Sequence, residues 1–193
     1  MSSQRDPRVL AARLRPVYRG IGRLNTAIGT AVSWLTLAMV LVTALVVALR
    51  YGFGIGSVAL QESVTYLHCA VFMLGAAMTL ERGGHVRVDI LYRRWPLRRR
   101  ALVDAAGSLL LLIPFALFTL VVSWDYVLQS WHMREGSAEA SGLPGIFLLK
   151  TLIPVMSVLL LLQGIADTLR SMMILAGAET DGDAAAMSPE ELI

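Results

Sequence analysis

Four long apolar segments, separated by short polar connectors, dominate the pattern of hydrophobic and polar positions along the chain. They cover residues 27–49, 55–80, 105–124 and 143–166. About 20 apolar residues in a helix cross a hydrocarbon core of about 30 Å, so each segment is long enough to span a membrane. Charged side chains enter these segments only at Glu62 in the second and Lys150 in the fourth. The pattern predicts an all-α membrane protein with four transmembrane helices.

The flanking regions divide the chain into three parts. Residues 1–24 form a basic amino-terminal segment, residues 25–170 the four-helix domain, and residues 171–193 an acidic tail that we expect to be disordered. Pro114 and Pro154 fall inside the third and fourth segments. Neighbouring helices can satisfy the carbonyl groups that a proline leaves unbonded, so these two positions predict kinks and not helix ends.

The arginines are concentrated in two connectors. Six precede the first span, and seven lie between the second and third, at positions 82, 87, 93, 94, 98, 99 and 100. The other two connectors contain only Arg50 and Arg134. Because short cytoplasmic loops are rich in lysine and arginine, this asymmetry predicts a multi-pass protein of the bacterial inner membrane with both termini in the cytoplasm.

The composition agrees with a membrane protein, and it gives no support to nucleic-acid binding or to a disulfide framework. Hydrophobic residues make up 56% of the chain, and the mean hydropathy is +0.64. The basic pI of about 9.4 is explained by arginines near anionic phospholipid, so no nucleic-acid partner is implied. Cys69 is the single cysteine, which excludes an internal disulfide. The first apolar run is much longer than the core of a signal peptide, so we expect it to remain as an anchor.

The connector at 85–95 has the pattern of a short amphipathic helix lying on the membrane surface. Such a helix places apolar and aromatic residues on one side and most of the charges on the other. A solvated loop that only fixes topology is the alternative. Val86 and Ile90 fall on the charged side, which a contact with lipid alone does not explain, so contact with a protein partner is a further hypothesis. The candidate residues for partner or lipid contact are His85, Val86, Arg87, Asp89, Ile90, Arg93, Arg94 and Trp95.

The two charged residues inside the spans lie at similar predicted depth below one membrane surface. Charges inside a membrane usually pair with each other, so Glu62 and Lys150 predict an ion pair that fixes helix packing. The alternative is that Glu62 binds a proton or a sodium ion on a transport path. His68 lies in mid-span, where a packed core histidine and a haem ligand are both conceivable, but His85 and His132 lie at opposite membrane ends and give it no partner at like depth.

Three motifs resemble one family of membrane proteins. The motifs are ESVTY at 62–66, GAA at 75–77 and HVRVD at 85–89. Together they resemble the signature of the small membrane (Q) subunit of tripartite ATP-independent periplasmic (TRAP) transporters, over roughly residues 23–170. The HVRVD string at its distance from Glu62 is the most specific part. One difference is that Pro144 is followed by Gly145 and Ile146, where the family often has an aromatic residue.

The resemblance implies a non-catalytic scaffold subunit with no cofactor and no metal. Its partners would be a large multi-span membrane subunit and a periplasmic substrate-binding protein, in sodium-coupled uptake of an organic acid. The resemblance also favours an intersubunit contact of Asp89 over a local pair with Arg93. Two other functions stay open at this point: a self-sufficient proton-coupled transporter using Glu62, and a haem-bearing membrane anchor using His68.

Overall fold

The computed structural model describes residues 7–84 and 95–177, with side chains described from residue 14 onward. Every regular element in these ranges is helical. The elements are α1 (Pro7–Gly52), α2 (Val58–Glu81), α3 (Leu97–Gly107), a π-helical turn (Ser108–Leu112), α4 (Ile113–Met133) and α5 (Ile146–Leu175). Because α3, the π-helical turn and α4 are continuous, they form one rod. The four resulting rods are long and apolar enough to cross a membrane, which confirms the predicted fold class.

Helix α1 is much longer than the predicted first span. It has 46 residues, or roughly 70 Å at about 1.5 Å per residue, which exceeds the thickness of a bilayer. The helix begins at Pro7, a residue type favoured at the first helical position because it has no amide hydrogen to leave unbonded. The basic segment before residue 24 is therefore helical from Pro7 and continuous with the span.

The other helices also differ from the predicted bounds. Helices α2 and α5 each begin three residues later than predicted, and the third rod extends beyond 105–124 in both directions. Helix α5 continues to Leu175, one turn into the predicted tail. The proposed interfacial helix at 85–95 lies outside the described residues except for Trp95, and so does the tail after residue 177.

Helix α5 is the centre of the bundle. It contacts α1, α2, α3, the π-helical turn and α4, and it contains ten buried residues. One core cluster joins Ala77 of α2 and Ala116 of α4 to Leu159 and Leu160 of α5. Most large apolar side chains on the outer faces of the rods are exposed, as expected for helices that are surrounded by lipid.

Helices α1 and α2 approach each other closely at small residues. A Cβ atom added at Gly29 would lie 2.6 Å from the Cβ of Met78, and one added at Gly22 would lie 3.1 Å from Oε1 of Glu81. Small residues permit this approach, which is a usual basis of helix association in membranes.

A π-helical turn precedes Pro114. The amide of Ile113 donates to the carbonyl of Ser108, five residues back, where an α-helix would use a residue four back. Proline has no amide hydrogen, and its ring collides with the carbonyl four residues earlier. The wider turn over Ser108–Leu112 leaves room for that ring, so the helix continues through Pro114 into α4.

Candidate functional site

The bundle has two ends with different chemistry. We call the end formed by the connectors 53–57 and 134–145 the loop end. The opposite end, which carries residues 7, 84, 95 and 177, is the terminal end. The loop end contains a cluster of polar side chains, which we call the loop-end cluster: Glu62, Ser130, Glu135, Ser137 and Lys150. Its two carboxylates, those of Glu62 and Glu135, both hold the connector 134–145 in place.

Glu62 fastens the connector to α2. One of its carboxylate oxygens accepts a hydrogen bond from the Ser137 hydroxyl, and the other accepts the backbone amide of Leu143 at 2.6 Å. The connector is also closed on itself, since the Ser137 amide donates to the Leu143 carbonyl at 3.0 Å. Gly142 is needed here because a Cβ at that position would lie 2.7 Å from Oε1 of Glu62.

The predicted ion pair between Glu62 and Lys150 is not formed in the structure. Lys150 instead contacts Glu135, with Nζ and Oε2 2.5 Å apart. Both charged residues lie only four positions after the start of their helices, which is about 6 Å by helical rise. At this depth the connector reaches them, so its own groups replace the helix-to-helix pair.

Lys150 and Glu135 join α4 and α5. Nζ of Lys150 also lies 4.0 Å from the ring centroid of Tyr126 on α4, a cation–π contact. The Ser130 hydroxyl donates to the same carboxylate oxygen of Glu135 at 2.6 Å. The hydrogen bond from Lys150, followed by that from Ser130, lowers the pKa of Glu135, a connector residue, below its usual value. Glu135 therefore remains a carboxylate at neutral pH.

A second contact between α4 and α5 lies beside the first, since Thr151 directly follows Lys150 in α5. The Trp131 indole N–H donates to the Thr151 hydroxyl at 2.8 Å, and the same hydroxyl donates to the carbonyl of Phe147 at 2.7 Å. The Trp131 ring packs edge to face on Phe147, with ring centroids 4.7 Å apart. These contacts fix the rotamer of Trp131 at the membrane interface.

A buried polar contact that the sequence analysis missed joins α1 to α5. The Asn25 side-chain amide donates to Oε1 of Gln163 at 2.8 Å, and Gln163 donates to Asp167 at 3.0 Å. Asn25 and Gln163 are only 1% and 2% exposed. An uncharged amide inside the apolar run 143–166 was the available signal, because polar residues in spans usually face another helix.

The terminal end is closed by separate contacts. The Thr26 hydroxyl donates to Glu81 at 3.1 Å, and Arg98 donates to the carbonyl of Leu175 at 3.0 Å. Trp95 is half-buried, and its carbonyl accepts from Nε of Arg100 at 2.9 Å. The other seven candidate contact residues, His85, Val86, Arg87, Asp89, Ile90, Arg93 and Arg94, lie outside the described residues.

His68 has an aromatic neighbour. Its ring stacks on Phe72, with centroids 6.4 Å apart and an interplanar angle of 19°. Within residues 7–84 and 95–177 there is no group of three or more histidine, cysteine, aspartate or glutamate side chains arranged to hold a metal ion.

Comparison with known proteins gives one clear finding. The family model described as tripartite ATP-independent periplasmic transporters, DctQ component, matches residues 39–173, which is more than half of the chain. No curated protein sequence and no solved structure matches this chain. The matched region begins inside α1 and ends inside α5, so it includes the last part of α1, the second and third rods, most of α5 and the loop-end cluster. The chain belongs to the DctQ family, the small membrane subunits of TRAP transporters.

Proposed function

We propose that this chain is a non-catalytic scaffold subunit that supports the large membrane subunit of a TRAP transporter. In that role it moves no substrate and keeps a fixed shape while the large subunit works. The hydrogen bonding of Glu62 is the observation that supports this proposal most directly. Both of its carboxylate oxygens accept hydrogen bonds from the connector 134–145. A carboxylate that carried a proton or an ion would need to exchange these partners during each transport cycle.

The second intramembrane charge supports the same role. Lys150 is held between Glu135 and the Tyr126 ring, so it joins two helices and the connector. Together with Glu62, it fastens α2, α4 and α5 to a single loop. Membership of the family adds the partners: a large multi-span membrane subunit and a periplasmic substrate-binding protein. It also suggests sodium-coupled symport of an organic acid, for which the large subunit would hold the ion and substrate sites.

We further propose that the loop end faces the periplasm and the terminal end the cytoplasm. The arginine-rich connectors support this orientation in the bacterial inner membrane. On this reading the segment 85–95 rests at the cytoplasmic surface. There its arginines would contact anionic phospholipid, and Val86, Asp89 and Ile90 would face the large subunit.

Reconstitution of the transporter with its binding protein tests the proposal. We expect uptake of radiolabelled organic acids, driven by a sodium gradient, when both membrane subunits are present, and none with this chain alone. Glu62→Ala removes the hydrogen bonds that hold the connector 134–145 to α2. It should therefore weaken co-purification with the large subunit and reduce uptake to a similar extent. Glu139→Ala is the matched control because Glu139 is an exposed carboxylate of the same connector.

Two results would contradict the proposal. The first is accumulation of solute in vesicles that contain only this chain. The second is a Glu62→Ala variant that assembles normally but changes the sodium or proton dependence of uptake. That second result would indicate an ion-linked role for Glu62.

A further inference from the structure

One face of α2 carries polar side chains at membrane depth and points away from the bundle. We call it the α2 outer face. Its members are spaced three or four positions apart and are Gln61, Thr65, His68, Phe72 and Gly75. The first four have exposed side chains, and a Cβ atom added at Gly75 would meet no other atom within 4 Å. The helices of residues 7–84 and 95–177 therefore leave this face open.

His68 lies close to the middle of the membrane. It follows the start of α2 at Val58 by ten residues and precedes the end at Glu81 by 13. By helical rise these distances are about 15 and 20 Å, while half of a hydrocarbon core is about 15 Å. Thr65 lies about one turn closer to the loop end. Neither side chain can rely on water for its hydrogen bonds at this depth.

The structure gives Thr65 and His68 no hydrogen-bond partner within its described residues, and His68 has only its ring contact with Phe72. Two exposed hydroxyls of α1 differ, since those of Ser33 and Thr43 donate to carbonyls of their own helix. A threonine hydroxyl can turn to such a carbonyl. A histidine ring carries at least one N–H donor in every protonation state. His68 is therefore the residue of this face that most needs an outside partner.

Hydrocarbon cannot supply that partner, because it contains no hydrogen-bond acceptor. Polar side chains inside spans almost always face another helix or a water-filled cavity. The rest of the face suits a helix: Phe72 offers an exposed ring, and the open side of Gly75 allows a second backbone to approach closely. A membrane helix with an acceptor opposite His68 fits all three features.

We propose that the α2 outer face is a contact surface for a membrane-spanning helix of the large subunit, which places a hydrogen-bond acceptor opposite His68. This inference rests on the proposed function. Helix α2 leads into the segment 85–95, whose Val86, Asp89 and Ile90 are proposed above to face the same subunit. The large subunit would thus contact both the span and the segment that follows it, which favours it over a second copy of this chain.

Titration of the labelled chain with the labelled large subunit in detergent micelles, followed by fluorescence energy transfer, tests the contact. His68→Leu removes the donor, and the dissociation constant should rise by about threefold to fifteenfold, the range for one hydrogen bond between membrane helices. His68→Gln keeps an N–H donor and should retain most of the affinity. Phe118→Leu is the control at an exposed position of α4, and it should bind as the wild type does.

The isolated chain distinguishes a contact between subunits from a contact within this chain. Because His68 has no hydrogen bond in the described residues, His68→Leu should leave the thermal midpoint of the isolated chain unchanged or slightly higher. A lower midpoint would show that His68 supports the fold of this chain, and it would overturn the proposal.

Photocrosslinking identifies what covers the face. With p-benzoylphenylalanine in place of His68 and a tagged large subunit co-expressed, we expect an adduct with that subunit. Adducts with lipid alone, or with a second copy of this chain, overturn the proposal. So does a His68→Leu variant that binds as tightly as Phe118→Leu, and in that case normal association of the wild type leaves the proposed function standing. Failure of the wild-type chain to bind the large subunit at all would overturn both.

Discussion

A carboxylate near a membrane surface can be stabilised either by a cation or by several neutral donors, and this chain uses both solutions within one cluster. Glu135 has Lys150 and the Ser130 hydroxyl, whereas Glu62 has the Ser137 hydroxyl and the Leu143 amide. The two donors to Glu62 come from the connector 134–145, which is distant from it in sequence. The bonds of Glu62 therefore tie this connector to α2, and the pair of Glu135 with Lys150 ties it to α5.

The pH dependence of stability should reveal the Glu135 contact. Its pKa is lowered in the folded chain by Lys150 and then by Ser130. A group with a lowered folded pKa stabilises the fold fully above its unfolded pKa, and that contribution is lost as the pH falls through the folded pKa. We expect the thermal midpoint of the wild type in detergent to exceed that of Glu135→Gln by a few degrees at pH 7. The difference should disappear on acidification below the ordinary range of glutamate.

Glu139→Gln provides the comparison for this experiment, because Glu139 lies on the same connector and its side chain is exposed. The thermal midpoint of this variant should stay close to that of the wild type at each pH. A difference between wild type and Glu135→Gln that stays constant into strong acid would show that the contact does not depend on the charge of Glu135.

At the level of single residues, the sequence identified which groups are important more reliably than their partners. Charge within apolar runs drew attention to Glu62 and Lys150, and in the structure the side chains of both are bonded to residues of the connector 134–145. Their partners were mispredicted because the conformation of the connector 134–145 depends on contacts more than 70 positions apart, such as that from Ser137 to Glu62. Asn25 and Gln163 were missed because hydropathy gives little weight to uncharged amides.

Among the helices, α5 holds the bundle together, and its polar contact with α1 fixes how these two helices align. Asn25 and Gln163 are buried and hydrogen-bonded to each other, whereas the two core clusters that also join α1 to α5 are hydrophobic. Apolar surfaces that are already in lipid gain little from packing together, so one hydrogen bond has more influence on register here than it would in water.

A double-mutant cycle measures this contact. Replacing Asn25 or Gln163 singly with leucine leaves a polar group buried without its partner, which should cost about 1–3 kcal/mol of unfolding free energy. The double variant should lose less than the sum of the two, with a coupling of about 0.6–1.7 kcal/mol as found between membrane helices. Gln163→Leu should be the more harmful single change, because Gln163 also donates to Asp167. Equilibrium unfolding in mixed micelles gives the values.

Thr43→Val in α1 is the matched control, since the Thr43 hydroxyl bonds only to the Met39 carbonyl of its own helix and is exposed. It should change the unfolding free energy little. Additive effects of the two leucine substitutions would mean that the Asn25–Gln163 hydrogen bond contributes nothing to the association of α1 with α5.

The existence of the four rods was predictable because a long apolar run has few alternatives to a membrane helix. Their ends were not, for two reasons. Arginine, leucine and alanine continue α1 outside the apolar run as good helix formers, so hydropathy marks the membrane and not the helix. The later starts of α2 and α5 reflect the connectors, which carry apolar residues such as Ile55 and Leu143 outside the helices.

For the whole molecule, the two ends differ in charge as well as in contacts. The loop end is tied together by carboxylates bonded to the connector 134–145, whereas the terminal end carries the arginine-rich connector and the amino-terminal extension of α1. If the terminal end is cytoplasmic, the loop end is the surface available to a periplasmic partner. The orientation of the chain therefore decides which cluster a binding protein would meet.

Two matched cysteine variants test this orientation. In a Cys69→Ala background, Ala138→Cys places a thiol in the exposed connector of the loop end, and Ala176→Cys places one just after α5 at the terminal end. A membrane-impermeant maleimide added to intact spheroplasts should label position 138, and it should label position 176 only after lysis. The reason is the positive-inside rule acting on the arginines at the terminal end. The reverse pattern would place both termini outside the cytoplasm and would contradict the proposed orientation.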